Sequence, residues 1–231
     1  MTAHVGMLHT VPALASRMDA DLRVAVDGPV RLTHVVDAEL LDGAVRNGVD
    51  AETLRRTRAH LQHLEAEGAR TILVTCSSIG EVTDEAAIGV GVPVVRVDRA
   101  MAAHAAALAS APGAGAGGIT VLATLEATLG PTSRLLAAEL SAVPGDTAVA
   151  AQLVEGAAEA RARGDQPAHD RLVAEAAAQA VADGAAVVVL AQASMATAVP
   201  DDLGDVPVLT SPAWAVGATV RAAGLTRQAA R

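Results

Sequence analysis

The sequence predicts an α/β fold made of two pseudo-symmetric halves, each a parallel sheet flanked by helices, with a cleft between them. Two observations support this prediction. Short β-branched aliphatic runs alternate with longer Ala-, Leu-, Glu- and Arg-rich segments along the whole chain. The chain also contains an internal repeat. Buried strands that alternate with helices are typical of βα units and of a parallel sheet covered on both faces.

The individual elements follow from local composition. Each predicted strand is short, rich in β-branched residues and bounded by glycine, proline or polar residues. The predicted strands are Val5–Leu8, Val30–Val36, Thr71–Thr75, Val92–Val95, Ile119–Ala123, Thr147–Ala150, Ala186–Leu190 and Val206–Leu209. The predicted helical segments include 51–67, 98–110, 125–142 and 166–182, and a last helix is predicted over Pro212–Ala230.

The repeat consists of three matches in the same order at offsets of 114 to 116 residues. The first match pairs M-L-H-T-V at 7–11 with V-L-A-T-L at 121–125. The second pairs G-A-R-T-I-L-V-T-C-S-S-I-G at 68–80 with G-A-A-V-V-V-L-A-Q-A-S-M-A at 184–196. The third pairs V-P-V-V-R-V at 92–97 with V-P-V-L-T-S at 206–211. Internal similarity at a fixed offset indicates repeated structural units. We therefore expect one domain over 1–97, joined by 212–231 packing back on it, and a second over 98–211.

Composition excludes several classes of partner. The formal charge of −9 argues against nucleic acid, because a phosphate backbone requires a basic surface. The only cysteine, Cys76, cannot form an internal disulfide, and no apolar run reaches the roughly 20 residues of a membrane span. No signal peptide is recognisable at the N-terminus. We expect a soluble, cytoplasmic protein that binds neither nucleic acid nor membrane.

Polar side chains follow the predicted strands at the edge where ligands bind in parallel α/β sheets. A thiol at a strand-to-helix turn meets backbone N–H groups and the positive end of a helix, and both lower its pKa. Nearby hydroxyls and amides can hold a carboxylate and stabilise an enolate. The alternative for Cys76 is a buried apolar residue, and its repeat partner Gln192, which is polar, favours a functional role. The candidates are His9, Thr10, Cys76, Ser77, Ser78, Thr124, Thr128, Gln192 and Ser194.

No metal site is predicted. His60, His63 and Glu67 share one helical face, which a solvated helix surface explains better than a metal site.

V-T-C-S-S-I-G followed by V-L-A-Q-A-S-M, in two α/β halves, resembles the aspartate/glutamate/hydantoin racemase superfamily. The resemblance implies two flavodoxin-like domains, no cofactor, and a pair of cysteines that exchange protons at the substrate's α-carbon. It places Cys76 as the first catalytic cysteine. It also places Thr10, Ser77, Ser78, Thr124 and Thr128 where the superfamily binds carboxylate.

The chain departs from that pattern at Gln192, which occupies the place of the second cysteine. Glutamine cannot exchange a proton near neutral pH, but it can donate a hydrogen bond to a substrate oxygen. His9 is then the candidate second base. Other one-cysteine alternatives are a lyase like arylmalonate decarboxylase, a cis–trans isomerase like maleate isomerase, and a non-catalytic carboxylate-binding protein.

The function expected from the sequence is cysteine-mediated proton transfer at the α-carbon of a small carboxylate or amino-acid-like substrate, without cofactor or metal. The absence of Phe and Tyr favours a small aliphatic substrate over an aromatic one. A homodimer is compatible with the composition.

Overall fold

A computed structural model of the protein describes residues 2–111 and 117–227. The strands are β1 Ala3–His9, β2 Val30–Val36, β3 Thr71–Val74, β4 Val94–Arg96, β5 Ile119–Ala123, β6 Val149–Leu153, β7 Val187–Leu190, β8 Asp202–Leu203 and β9 Val206–Thr210. The helices are α1 Pro12–Ala25, α2 Glu39–Asn47, α3 Ala51–Ala66, α4 Gly80–Ala86, α5 Arg99–Ala109, α6 Glu126–Ser141, α7 Ala157–Ala162, α8 Gln166–Ala182 and α9 Ser211–Ala222.

The chain divides into two compact units. The first comprises Met1–Asp98 and Pro212–Arg231, and the second comprises Arg99–Ser211. The Gly-rich stretch at 111–118, which the sequence favours as a connection, lies mostly outside the described residues.

The first unit is built on a four-stranded parallel sheet in the order β2-β1-β3-β4. Its central strands β1 and β3 consist almost entirely of buried residues. Leu8, Ile72 and Val74 pack with Leu61 and Leu64 of α3 on one face. Helices α1 and α9 cover the other face. A parallel sheet buried on both sides explains why these strands read as continuous apolar runs.

The second unit repeats this arrangement. Its sheet has the order β6-β5-β7-β9-β8, and its first four strands are parallel in the same spatial order as those of the first unit. The two-residue strand β8 pairs antiparallel with β9. The three sequence matches therefore fall on β1 and β5, β3 and β7, and β4 and β9. The predicted α/β fold class, with two parallel sheets flanked by helices, is confirmed.

The main difference from prediction concerns the last helix. It ends at Ala222 rather than continuing to Ala230. Gly224 adopts a φ of 63°, in the left-handed region that ends helices, and Arg227 then forms an antiparallel bridge with Val26. Residues 228–230 of the predicted helix lie outside the described part of the chain.

Strand boundaries also shift by one to three residues. Strand β6 begins at Val149 rather than Thr147, and β4 covers Val94–Arg96 rather than Val92–Val95. Pro93 explains the second shift, because proline has no N–H to donate to the ladder. The short strand β8 has no periodic pattern in the sequence and is not among the predicted strands.

The face covered by α1 and α9 provides a test of the core. Leu22 is fully buried there with Met18, Val216 and Val220, whereas Val24 on the same helix is 72% exposed. We expect Leu22→Ala to lower the free energy of unfolding by about 2–5 kcal/mol through lost burial and cavity formation. Val24→Ala, the matched control, should change it by less than about 0.5 kcal/mol. Urea unfolding measures both, and equal effects would contradict the packing of this face.

Candidate active site

Cys76 lies two residues beyond the end of β3. The strand is wholly buried, and Thr75 and Cys76 lead into a single 3₁₀ turn, Ser77–Ile79, that runs directly into α4. Ser77 and Ser78 are buried with the thiol, which is 8% exposed. The sequence prediction that Cys76 stands at a strand-to-helix turn agrees with this geometry.

Two opposing effects act on the thiol. Burial raises the pKa of Cys76, while the Thr10 hydroxyl, the backbone N–H groups of Ile79 and Ser78 and the Ser78 hydroxyl lower it. Burial is the larger effect, and the pKa is raised overall. The N–H groups of the turn therefore lower the thiol pKa as the sequence predicts, but burial outweighs them, and the expectation of a lowered pKa overall is wrong. Removal of the thiolate from water costs more free energy than the hydrogen bonds from the surrounding donors contribute.

Thr10 connects the end of β1 to the thiol. It is 3% exposed, and its hydroxyl lies close enough to Cys76 to influence the thiol pKa. Among the described residues, Thr10 Oγ1 forms no hydrogen bond of normal geometry. A buried hydroxyl whose contact with a thiol falls short of normal geometry is poorly satisfied, so this group is available to a bound polar ligand.

His9 belongs to a different network. Its Nδ1 lies 2.9 Å from Thr75 Oγ1 and its Nε2 lies 3.0 Å from His34 Nδ1, and His34 Nε2 lies 3.1 Å from Asp19 Oδ2. Burial, and to a lesser extent the neighbouring His34, lower the pKa of His9 to about 4. At neutral pH His9 is thus uncharged, and both of its ring nitrogens are engaged with Thr75 and His34.

An ion-pair cluster centred on the buried Arg96 supports the turn after Cys76. Arg96 is 5% exposed and binds Asp98 through Nε and Nη2 at 3.0 and 2.8 Å, and Asp84 through Nη1 at 2.6 Å. Its guanidinium packs directly on Gly80, where an added Cβ would lie 2.7 Å from Cζ. Glycine at this position lets the guanidinium pack closely on the first residue of α4.

A second cluster lies at the end of β2. Asp37 is 8% exposed and accepts hydrogen bonds from Arg56 at 2.7 Å and from His60 at 2.7 Å. Burial raises the pKa of Asp37, but these two partners outweigh it and the pKa is lowered overall. His60 is therefore committed to Asp37 rather than lying on a purely solvated helix face. No group of three residues able to hold a metal occurs within residues 2–111 and 117–227.

In the second unit the polar strand ends meet at Gln192. Its Oε1 accepts hydrogen bonds from the Thr124 backbone N–H at 2.6 Å and from Thr124 Oγ1 at 3.0 Å. The amide is thereby oriented with its carbonyl toward Thr124. The opposite end of the amide, Nε2, is a hydrogen-bond donor.

The other predicted residues of this unit are arranged around that pair. Thr128 is fully buried in the first turn of α6, one turn beyond Thr124. Ser194 is half-buried in a 3₁₀ turn, Ala193–Met195, that follows Gln192. The structure thus brings Thr10, Ser77 and Ser78 to Cys76 in one unit, and Thr124 to Gln192 in the other.

The sequence prediction missed several members of these networks. Thr75, His34 and Asp19 complete the hydrogen-bonded chain of His9, and Arg96 supports the turn after Cys76. Among these missed residues, only Arg96 had a local pattern in the sequence that could have revealed its role, namely its spacing of two residues from Asp98 at a strand end. Asp19 lies on α1 and reaches His34 only through the fold, which no local pattern reveals.

These features define a class of protein: an α/β chain with two parallel-sheet units of equal strand order, with a thiol at one strand end. The model of the Asp/Glu/hydantoin racemase family matches residues 12–219. The chain belongs to this family. The resemblance seen in the sequence is thereby confirmed.

Solved structures of two racemases and of arylmalonate decarboxylase share the fold. Aspartate racemase of Picrophilus torridus superimposes with a TM-score of 0.73 at 15% identity, covering 98% of this chain and 96% of that chain. Allantoin racemase from Klebsiella pneumoniae gives 0.66 at 17% identity, covering 98% and 91%. A mutant of arylmalonate decarboxylase gives 0.61 at 19% identity, covering 98% and 97%. No curated protein matches the sequence, and no helix of the described residues is long and apolar enough to cross a membrane.

The His9 network predicts a specific pH dependence. Because the pKa of His9 falls from 6.5 to about 4 on folding, the unfolded chain binds this proton at higher pH. The contribution of His9 to the free energy of unfolding is fully present above pH 6.5. It is lost as the pH falls toward 4, by about 3 kcal/mol in total. His9→Asn should remove this part of the pH dependence in urea unfolding between pH 7 and 4. His63→Gln, an exposed control, should retain the wild-type slope. Equal slopes in both variants would refute the assignment.

Proposed function

We propose that this protein is a cofactor-independent enzyme that transfers a proton at the carbon next to a carboxylate, with Cys76 as the acid/base group. The main support is the surroundings of the Cys76 thiol: the Thr10 and Ser78 hydroxyls and the backbone N–H groups of Ser78 and Ile79 all interact with it. Membership of the racemase family supports the same chemistry.

The raised thiol pKa suits this reaction. A carbon acid next to a carboxylate is weak, and a base of higher pKa lowers the free energy needed to remove its proton. When the thiolate form of Cys76 acts as the base, the C–H bond breaks, the proton moves to sulfur to give the neutral thiol, and the electron pair of the C–H bond passes into the neighbouring carboxylate. Thr10, Ser77 and Ser78 are placed to donate hydrogen bonds to the resulting oxyanion.

The substrate we propose is a small carboxylate or amino-acid-like molecule. The strand ends of the first unit offer hydroxyls and amides rather than aromatic rings, and the chain has no Phe or Tyr. The structural relatives include an aspartate racemase and an allantoin racemase. Isomerisation is the favoured reaction class, in a soluble cytoplasmic protein.

Gln192 is proposed as a substrate-binding donor. The resemblance places it where a second cysteine belongs, and its carbonyl is held by Thr124, which leaves Nε2 to bind a substrate oxygen. His9 is a weaker candidate for the second base, because its nitrogens are already engaged with Thr75 and His34.

Replacing the thiol tests the proposal. We expect Cys76→Ser to lower turnover by at least 10²-fold, because a hydroxyl is far too weak an acid to replace the thiol in proton transfer. The measurement is loss of the α-proton of aspartate, glutamate, malate and allantoin in deuterated water, followed by NMR, with chiral analysis of the products.

Circular dichroism and thermal unfolding show whether the variant keeps its fold. Wild-type activity in folded Cys76→Ser would reject the proposal. A wild-type protein that is stabilised by these compounds but exchanges no proton would instead be a carboxylate-binding protein. Release of carbon dioxide from malonate derivatives would identify a lyase.

The direction of the thiol pKa gives a second prediction. In the ligand-free protein, alkylation of Cys76 by iodoacetamide should accelerate about tenfold per pH unit up to pH 9 without a plateau, because only the thiolate reacts. Mass spectrometry follows the reaction. Protein unfolded in urea, with an ordinary thiol, should level off near pH 8.5 to 9. Thr10→Val removes a group that lowers the pKa and should slow alkylation at pH 8. A plateau below pH 8 in the folded protein would contradict the raised pKa.

A further inference from the structure

A groove lies near the amino ends of β5 and β6 in the second unit, between the edge strand β6 and the C-terminal end of α8. Its volume is about 450 Å³. Sites for small molecules have volumes of roughly 300–1,000 Å³. The groove is at the opposite edge of the sheet from Thr124 and Gln192, and the chemistry proposed for Cys76 makes no use of it.

The two units can be compared residue by residue at this edge of the sheet. In the first unit the Arg70 N–H donates a hydrogen bond to the His4 carbonyl at 2.9 Å. In the second unit the Ala186 N–H donates to the Gly118 carbonyl at 2.9 Å. The same backbone hydrogen bond therefore makes His4 and Gly118 equivalent.

The edge strands β2 and β6 correspond in the same way. Strand β1 pairs with β2 in the register in which β5 pairs with β6. Arg31 is therefore equivalent to Ala148, and Thr33 is equivalent to Ala150. Alternate residues of a strand point to the same face of the sheet, so both members of each strand lie on one face.

In the first unit this space is filled by side chains of the chain itself. The His4 side chain is 5% exposed, and its Nε2 lies 2.8 Å from Thr33 Oγ1. Arg31 Nη2 lies 3.8 Å from Glu67 Oε2, at the C-terminal end of α3. An imidazole ring and a guanidinium group beside a carboxylate thus cover this part of the sheet.

In the second unit the equivalent positions carry much smaller side chains. Gly118 replaces the histidine, Ala148 the arginine and Ala150 the threonine, and both alanines are exposed. The carboxylate is retained, because Asp183 precedes the glycine that follows α8 just as Glu67 precedes the glycine that follows α3. The groove is therefore the space that a ring and a guanidinium fill in the other unit.

The electrostatics of the groove favour a cation. Among the described residues that line it, Asp183 is the one with a charged side chain. Asp183 caps the C-terminal end of α8, where the helix dipole is negative and cations are stabilised. Its Oδ1 accepts a hydrogen bond from Gln179 Nε2 at 2.8 Å, which orients the carboxylate. Thr120 and Gln152 also line the groove and add neutral hydrogen-bonding groups.

We propose that this groove binds a small organic cation with a guanidinium or imidazolium head group. The head group takes the place that Arg31 and His4 fill in the first unit, and it pairs with Asp183. A guanidinium presents parallel N–H donors that match the two oxygens of a carboxylate. The apolar part of the ligand lies against Ala148 and Ala150. The inference goes beyond the function proposed for Cys76 and does not depend on it.

Binding of butylguanidinium tests the inference, with butylurea as an uncharged probe of the same shape. Proton–nitrogen correlation NMR follows the amide signals of Thr120 and Gly184 while each probe is added to the wild-type protein. Butylguanidinium should shift these signals saturably and bind at least about tenfold more tightly than butylurea. Asp183→Asn keeps the side-chain shape without the charge and should weaken binding of butylguanidinium by about tenfold or more.

A second variant fills the groove. Ala148→Arg restores the side chain present at this position in the first unit, and it should abolish binding because its own guanidinium then lies beside Asp183. Ala142→Arg adds the same charge at an exposed position outside the groove and should bind butylguanidinium as the wild type does. Circular dichroism and thermal unfolding show whether the variants keep the fold.

The following outcomes would overturn the inference. Saturable binding is absent from the wild type, or it survives in both Asp183→Asn and Ala148→Arg. Cys76→Ser should bind the probe as the wild type does, and loss of binding in that variant would place the probe at the Cys76 turn instead. Self-association in ultracentrifugation that Ala148→Arg abolishes, without binding of the probe, would assign the groove to a second copy of the chain.

Discussion

The central strands of both sheets are buried on both faces, and this constraint governs where chemistry is possible in the chain. Strands β3 and β7 read T-I-L-V and V-V-V-L, and every residue in them is buried. A charged side chain inside such a layer would cost several kcal/mol. In both units the polar residues Cys76 and Gln192 therefore lie beyond the ends of these strands.

The same burial determines the charge of the first unit's site. Desolvation disfavours the charged form of every group, so it raises the pKa of the acidic thiol of Cys76 and lowers that of the basic imidazole of His9. Both groups are neutral at pH 7. The carboxylate of Asp37 keeps its charge because Arg56 pairs with it directly.

The two units apply one arrangement to different side chains. In each, the threonine after the first strand interacts with the residue after the third: Thr10 with Cys76, and Thr124 with Gln192. In the first unit the hydroxyl adjusts the acidity of a thiol. In the second, the hydroxyl and the backbone N–H fix the orientation of an amide. The repeat thus extends from strand order to specific contacts.

The sequence by itself determined the α/β class, the two-unit repeat and the strand-end position of Cys76, because these depend on the local alternation of apolar and polar residues. It also identified the pairing of Thr10 and Cys76 with Thr124 and Gln192, since equivalent strands preserve their spacing. Only the tertiary structure decided the direction of the Cys76 pKa and the partners of His9. These properties depend on how much water is excluded and which distant side chains approach, and neither quantity is local in the chain.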